Sequence, residues 1–159
     1  MEAIPKFWFS WNFNVLEGSI PVADIDMSWW REKASLTIQG RPYTVYREGL
    51  MSGAFILENE EGVVARASKP SAFRDSFDVE HSGREYKLSY AHGREFLFLE
   101  NRRKVGSVAR TRMLSRRTDV DLPEDLPLPV KVFVVWLALI LWKRESDSAV
   151  GAVLAVAGS

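Results

Sequence analysis

The residues of this chain best suited to binding a ligand are basic and lie close together in the sequence. Seven cationic side chains and no acidic one occur between positions 102 and 117. They are Arg102, Arg103, Lys104, Arg110, Arg112, Arg116 and Arg117. Such clusters attract phosphate, and each basic residue near an anionic membrane surface contributes about 1 kcal/mol. The cluster therefore predicts a site for lipid headgroups. The alternative is a solvated face paired with the acids at 58–61 or 119–125.

Other kinds of chemistry find less support in the residue types. The segment 119–125 carries four acids, at positions 119, 121, 124 and 125, but has a proline at position 123 and no glycine. A calcium loop needs oxygen ligands at alternate positions and a glycine at its sharp turn. Acids before a helix, where the helix dipole favours negative charge, are the simpler interpretation. His81 and His92 are isolated, and no hydrolase, phosphate-loop, zinc-protease or dinucleotide motif occurs. We expect no enzyme activity, metal or cofactor.

Composition narrows the class of partner. Lys and Arg number 21, as do Asp and Glu, so the formal net charge is zero, and the long-range field of a general nucleic-acid binder is missing. The chain has no cysteine, which excludes disulfides, thiolate metal sites and palmitoylation. The first residues lack a basic region followed by an apolar run, which a secretory signal requires. The expected location is cytoplasmic, with peripheral contact to a membrane.

The elements that position these residues are predicted to be short strands. From about position 35 to 114, runs rich in Val, Tyr, Phe, Thr and Leu alternate with turn glycines, which is typical of an antiparallel β-meander. Four tryptophans lie near the start, at positions 8, 11, 29 and 30. They are expected to pack on the barrel exterior or close its mouth, or else to form a contact surface for another protein or a membrane.

An internal duplication organises the meander. Residues 40–66 and 83–110 share G-R-x-Y, then L-E-N, a turn and G-x-V-A-R, with an initial offset of 43 positions. The second copy has two extra residues in its last turn, which places Arg102 to Lys104 on an enlarged hairpin tip. A weaker echo at 15–26 predicts a further hairpin of this kind. Two copies are too few for a propeller or solenoid, so the pattern favours a closed barrel, which has no exposed edges.

The stretch 128–142 is apolar on every side and predicts a helix over about 128–143. A helix that is hydrophobic all round is buried by lipid or by protein. Only eleven uninterrupted apolar residues run from Val132 to Trp142, against the roughly 20 needed to cross a bilayer. We therefore expect the helix, with Trp136 and Trp142, inside the barrel of a single domain at 1–144. The segment 145–159 is expected to be a flexible or weakly ordered tail. A short helix, or contact with a membrane or partner, is the alternative.

A glycine-punctuated, duplicated meander before one hydrophobic helix resembles the tubby C-terminal-like superfamily, which includes tubby-like, LURP-one-related and phospholipid scramblase proteins. The lead into the helix, with Pro123, Asp125 and Leu126 before Val130 and Lys131, is similar to the acidic, proline-containing lead of the scramblases. The resemblance covers roughly 13–144 and implies a twelve-stranded barrel around a central helix. It also implies phosphoinositide or phospholipid binding, or an adaptor role. The basic residues of tubby proteins and the cysteine tract of scramblases have no counterpart here.

Three hypotheses of function follow. The first is a non-enzymatic binding or adaptor module that engages anionic phospholipid or phosphoinositide headgroups through the basic hairpin. The second is a protein-interaction or structural domain that uses its N-terminal aromatic region and binds no lipid. The third is a scramblase-like, membrane-associated protein.

Overall fold

A computed structural model describes residues 1–8, 10–28, 33–49, 53–69, 76–92, 94–111 and 116–158. Arg112, Trp29 and Trp30 lie outside these ranges. The described elements are β1 (Glu2–Pro5), β2 (Phe13–Glu17), β3 (Ile20–Ser28), β4 (Lys33–Ile38), β5 (Arg41–Glu48), β6 (Ala54–Asn59), β7 (Gly62–Ser68), β8 (Ser76–His81), β9 (Arg84–Tyr90), β10 (Glu95–Glu100), β11 (Arg103–Arg110), β12 (Thr118–Asp121) and α1 (Leu128–Ala157).

The strands form one closed antiparallel barrel, which confirms the predicted fold class. Each strand pairs with the next along the chain, and β1 pairs with β12 through Glu2 with Asp119 and Ala3 with Thr118. Side chains alternate between core and solvent, most regularly in β4, because successive residues of a strand point to opposite faces.

The hydrophobic helix fills the barrel, as predicted. Val130 and every residue from Val132 to Trp142 are buried, so no face of this part of α1 meets solvent. Rings from separate strands contact it: Phe55 of β6 lies 4.9 Å from Trp136 between centroids, and Phe96 of β10 lies 5.2 Å from Trp142. Thirteen residues of helix span about 20 Å, close to the rise of six-residue strands. The heights of helix and barrel therefore match.

The helix is longer than the sequence led us to expect. It continues to Ala157, beyond the predicted end near 143, so residues 145–157 follow the alternative expectation of a helix rather than that of a flexible or weakly ordered tail. Starting a helix costs more than extending one. The buried half supplies the nucleus, and the alanines and leucine that follow prolong it easily.

The internal repeat is threefold rather than twofold. The hairpins β2–β3, β6–β7 and β10–β11 each turn over two residues and then place one extra residue on the second strand as a β-bulge. The bulged residues are Val22, Val64 and Val105, all packed against the core. The buried pairs just beyond the bulges are Val15 with Ala23, Leu57 with Ala65, and Phe98 with Gly106. The weak echo at 15–26 is thus the first of three four-strand units.

The same registers correct the predicted enlarged turn. β6–β7 turns over residues 60–61 and β10–β11 over 101–102, so the two tips are equal in size. Asn101 and Arg102 adopt left-handed φ values of 48° and 66°, as a type I′ hairpin turn requires at both of its central positions. Phe98, rather than Leu99, occupies the position equivalent to Leu57. Arg103 and Lys104 consequently lie in strand β11 and not on the tip.

Candidate functional site

The barrel has two different ends. Because neighbouring strands are antiparallel, successive connections alternate between the ends. The two-residue turns at 18–19, 39–40, 60–61, 82–83 and 101–102 share one end, named here the turn end. α1 leaves through the opposite end, named here the exit end, where Trp142 meets Phe96 near the start of β10 and Arg110 at the close of β11.

The structure divides the predicted basic cluster between these ends. Arg102 lies in a turn of the turn end, and Arg103 begins β11. Arg110 ends the same strand, about 23 Å further along at roughly 3.3 Å per residue, and Arg116 and Arg117 precede β12 at the exit end. Arg112 lies outside the described residues. The cluster therefore does not form one patch.

Among the turn-end cations Arg102, Arg103 and Lys104, acidic side chains occur near Lys104 and Arg102. Lys104 donates a hydrogen bond of 3.1 Å to Glu95 and lowers the pKa of that carboxyl. Arg102 lines a surface depression of about 630 Å³ on the outer wall, and carboxylates of β8 and β9 line it too. They are Asp78, Glu80 and Glu85. Arg66 and Lys87 line the depression as well, so both signs of charge are present there, as is typical of a solvated face.

Arg110 is the most unusual cation of the exit end. Its guanidinium lies over the Trp142 ring at 4.6 Å from the centroid, and its Nε atom is buried without a hydrogen-bond partner. Burial lowers the pKa of Arg110, and the nearby cations Arg116 and Arg94 lower it further, while Glu145 opposes them. A partly desolvated guanidinium among like charges gains stability from an added anion.

Arg94 and Arg116 complete this group with Arg110, and we call the three the exit-end arginines. The Arg110 backbone N–H donates to the Arg94 carbonyl at 3.1 Å, which holds the two residues side by side. Both line a shallow cavity of about 280 Å³ with Trp142 and Glu145. In the described part of the chain, no carboxylate forms a salt bridge with any of the three.

Arg116 and Arg117 also fasten the N-terminal segment to this end. The Arg116 guanidinium lies over the buried Trp11 ring at 4.3 Å and donates to the Ser10 carbonyl at 3.1 Å. Arg117 forms a salt bridge with Glu2, so its charge is compensated. Of the N-terminal tryptophans, Trp11 is thus packed beneath an arginine, while the predicted roles of Trp29 and Trp30 fall outside the described residues.

Apolar side chains are exposed at the same end. Phe7 and Trp8, which follow β1, are 76% and 78% exposed. α1 continues past the barrel, and its residues 149–157, the apolar extension, contain no polar side chain. Its larger members are 57–77% exposed, at Val150, Val153, Leu154 and Val156. The exit end therefore combines three arginines that form no salt bridge within the described ranges, exposed aromatics and an exposed apolar stretch of helix.

Sequence reasoning missed one part of this arrangement and left another open. Arg94 lies outside the predicted cluster, because it is eight residues away from Arg102 in the sequence. Pairing of β10 with β11 brings it beside Arg110. The apolar extension lies in the segment for which a flexible tail was expected and a short helix, or contact with a membrane or partner, was the alternative. The signal for that alternative is a second apolar run, directly after the charged residues 143–147.

The acidic segment does not gather into one site. Asp119 and Asp121 are exposed on β12, while Asp125 accepts a 2.7 Å hydrogen bond from Arg84 that lowers the pKa of its carboxyl. Among the residues that the structure describes, no group of three His, Asp or Glu side chains is arranged to hold a metal ion.

In comparisons with known proteins, no family model, curated protein or solved structure matches the chain. Within the described ranges, no helix has the length and apolar character needed to cross a bilayer.

Proposed function

We propose that this protein is a non-enzymatic binding module that engages an anionic phospholipid surface through the exit end of its barrel. The observation that carries this proposal is the set of exit-end arginines, which cluster at the end where the helix leaves and form no salt bridge with a carboxylate among the described residues. The likeness of the sequence to the tubby C-terminal-like superfamily supports it. The proposed surface differs from the basic hairpin of the sequence hypothesis, because Lys104 of the hairpin forms a salt bridge with Glu95 and Arg102 lines its depression together with three carboxylates.

The expected binding energy is moderate. Three basic residues near an anionic surface contribute about 3 kcal/mol together, which is roughly a hundredfold in affinity. Phe7 and Trp8 at the same end add apolar contact, since aromatic side chains favour the boundary between headgroups and acyl chains. Salt weakens the ionic part by screening. Binding is consequently tighter at low ionic strength and favours acidic lipids.

The test measures co-sedimentation with phosphatidylcholine vesicles made with and without phosphatidylserine, over a range of salt concentrations. One variant combines Arg94→Gln with Arg110→Gln. The matched control, Arg102→Gln with Arg103→Gln, removes the same charge from the turn end. We expect the first pair to weaken binding by about thirtyfold and the control pair to leave it near the wild-type level.

Two results would overturn the proposal. One is the absence of binding to acidic vesicles at low salt by protein whose circular dichroism shows an intact barrel. The other is loss of binding in the control pair with retention in the exit-end pair, which would restore the hairpin hypothesis.

A protein-interaction role is the second candidate, and the exposure of Phe7 and Trp8 favours it. In that case Phe7→Ser with Trp8→Ser abolishes association with a protein partner, and vesicle binding is absent from the wild type as well. The scramblase-like alternative requires lipid to move between leaflets. A dithionite assay on vesicles with labelled headgroups measures that movement directly.

A further inference from the structure

We infer that the apolar extension of α1 inserts into the hydrocarbon of the leaflet on which the exit end rests, as a one-leaflet anchor. This inference rests on the proposed function for the orientation of the barrel, and it adds a second, apolar component to the attachment. The partner it names is the acyl-chain region of a lipid bilayer.

The residue pattern of the apolar extension indicates that an apolar environment surrounds this part of the helix on all sides. At 100° per residue, Val150, Val153, Leu154 and Val156 occupy a little under half of the helix circumference. Small residues fill the rest, with Gly151, Ala152 and Ala155 on the opposite side. A helix without a polar face requires cover over its whole circumference. The buried half of α1 obeys the same rule, since protein surrounds it completely.

A bilayer meets this requirement better than a second copy of the chain. A helix from another molecule would cover one stripe and leave the remainder in water. The nine residues from 149 to 157 rise about 14 Å, close to half of the roughly 30 Å hydrocarbon core. The length therefore fits one leaflet.

A charged band separates the extension from the barrel at the depth where headgroups would lie. It comprises Lys143, Arg144, Glu145 and Asp147. Lys143 bonds Asp147 across one helical turn at 2.7 Å, and the Arg144 guanidinium lies 5.8 Å from the centroid of Phe55. The two cations and two acids of this band cancel, so the exit-end arginines supply the charge that complements acidic headgroups, while the extension points beyond both.

The extension is also preorganised. Isolated helices shorter than about 12 residues are marginal in water, but here the barrel supplies the nucleus and the helix runs on without a break. Insertion thus requires little ordering of the chain, and ordering is a main cost of binding for flexible segments.

The absence of cysteine from the chain makes a labelling experiment direct. Leu154→Cys in the full-length protein carries an environment-sensitive NBD dye, and Ser19→Cys at the turn end carries the same dye as control. Vesicles of phosphatidylcholine, with or without phosphatidylserine, contain a nitroxide on the acyl chain. We expect a blue shift, a rise in emission and nitroxide quenching at position 154, with no change at position 19.

A companion variant combines Val150→Asp with Val153→Asp. We expect it to bind acidic vesicles at least about tenfold more weakly at a salt concentration that screens the arginines. Its barrel should be intact by circular dichroism, because residues 145–158 are exposed outside the core.

The possible outcomes separate this inference from the proposed function. Salt-sensitive vesicle binding with an unchanged dye at position 154 would overturn insertion and leave the proposed function standing. Insertion that persists in neutral vesicles, and in the Arg94→Gln, Arg110→Gln variant, would support the anchor while contradicting the ionic proposal. A blue shift without lipid, with dimers that the aspartate variant abolishes, would overturn the inference in favour of a second copy.

Discussion

Gly106 occupies the place where the closing strand β12 approaches β11 most tightly. A Cβ atom added there would fall far inside contact distance of the Asp121 carbonyl oxygen and 3.1 Å from the Leu122 Cα. Both neighbours are backbone, so no side chain can rotate away. We therefore expect Gly106→Ala to force β12 outward at its pairing of Asp121 with Ser107.

The magnitude follows from what must move. Overpacking a tight site costs about 1 to 3 kcal/mol, and loss of one ladder hydrogen bond costs about 1 kcal/mol more. Alanine also restricts the unfolded chain, which returns about 0.5 kcal/mol. The net loss in free energy of unfolding is about 1.5 to 3.5 kcal/mol. The closure seam concentrates this strain, because β12 has four residues and shares two register pairs with β1.

Urea unfolding, followed by the fluorescence of the buried Trp136 and Trp142, measures the effect as a lower midpoint with an unchanged slope. Gly40→Ala is the matched control. Gly40 has a left-handed φ of 77° but open space around the added atom, so the control pays the conformational strain of about 1 kcal/mol alone. If Gly106→Ala is no more destabilising than the control, the close approach of β12 is refuted.

Two further predictions concern the turn end and the lead into the helix. Arg102→Gly should raise the free energy of unfolding by about 0.5 kcal/mol, because glycine tolerates the φ of 66° that arginine adopts with strain; a loss of stability in urea would contradict this. Arg84 holds the pKa of Asp125 below its usual value of 3.8, so their contact stabilises the fold above that value and is lost as the pH falls through the lowered pKa. Asp125→Asn should therefore reduce the melting temperature at neutral pH and match the wild type in strong acid; an equal difference at both would exclude the linkage.

Local patterns were sufficient to predict the barrel and its buried helix. Alternation of apolar and polar residues identifies half-buried strands whatever lies beside them, as β4 shows. A fully apolar helix such as Val132 to Trp142 must be buried on all sides, and because it is too short to span a membrane, protein must surround it. Both features depend on residues near in sequence, and neither requires knowledge of register.

Aligning the repeats residue by residue requires the strand register, and the alignment made from the sequence was partly wrong. Matching L-E-N between copies aligned Leu57 with Leu99, whereas hydrogen bonding makes Phe98 the equivalent residue. A slip of one residue reverses which face a side chain occupies, and Leu99 is indeed less buried than Leu57. The better signal was the valine three residues after the turn in three of the hairpins, at Val22, Val64 and Val105.

The candidate site was predicted in part, for a geometric reason. Closeness in sequence suggested one basic patch, but strand β11 carries Arg103 and Arg110 to opposite ends of the barrel. Arg94 reaches Arg110 only through pairing across strands, which a list of neighbouring residues does not contain. Strand length therefore decides which cations can act together.

Lipid binding by the exit-end arginines and insertion of the apolar extension must be compatible in depth, because both lie along the axis of α1. Trp142, on which the Arg110 guanidinium lies, precedes the start of the apolar extension by seven residues, or about 10 Å of helix. A headgroup layer is about 5 to 8 Å deep on each side of the hydrocarbon. If the extension is inserted along the bilayer normal, the exit-end arginines therefore stand at the outer edge of the headgroups, where phosphates are within reach of a long side chain. If the helix lay flat on the membrane instead, the outer wall of the barrel would contact the lipid. The exit-end arginines would then face the membrane on one side of the barrel only.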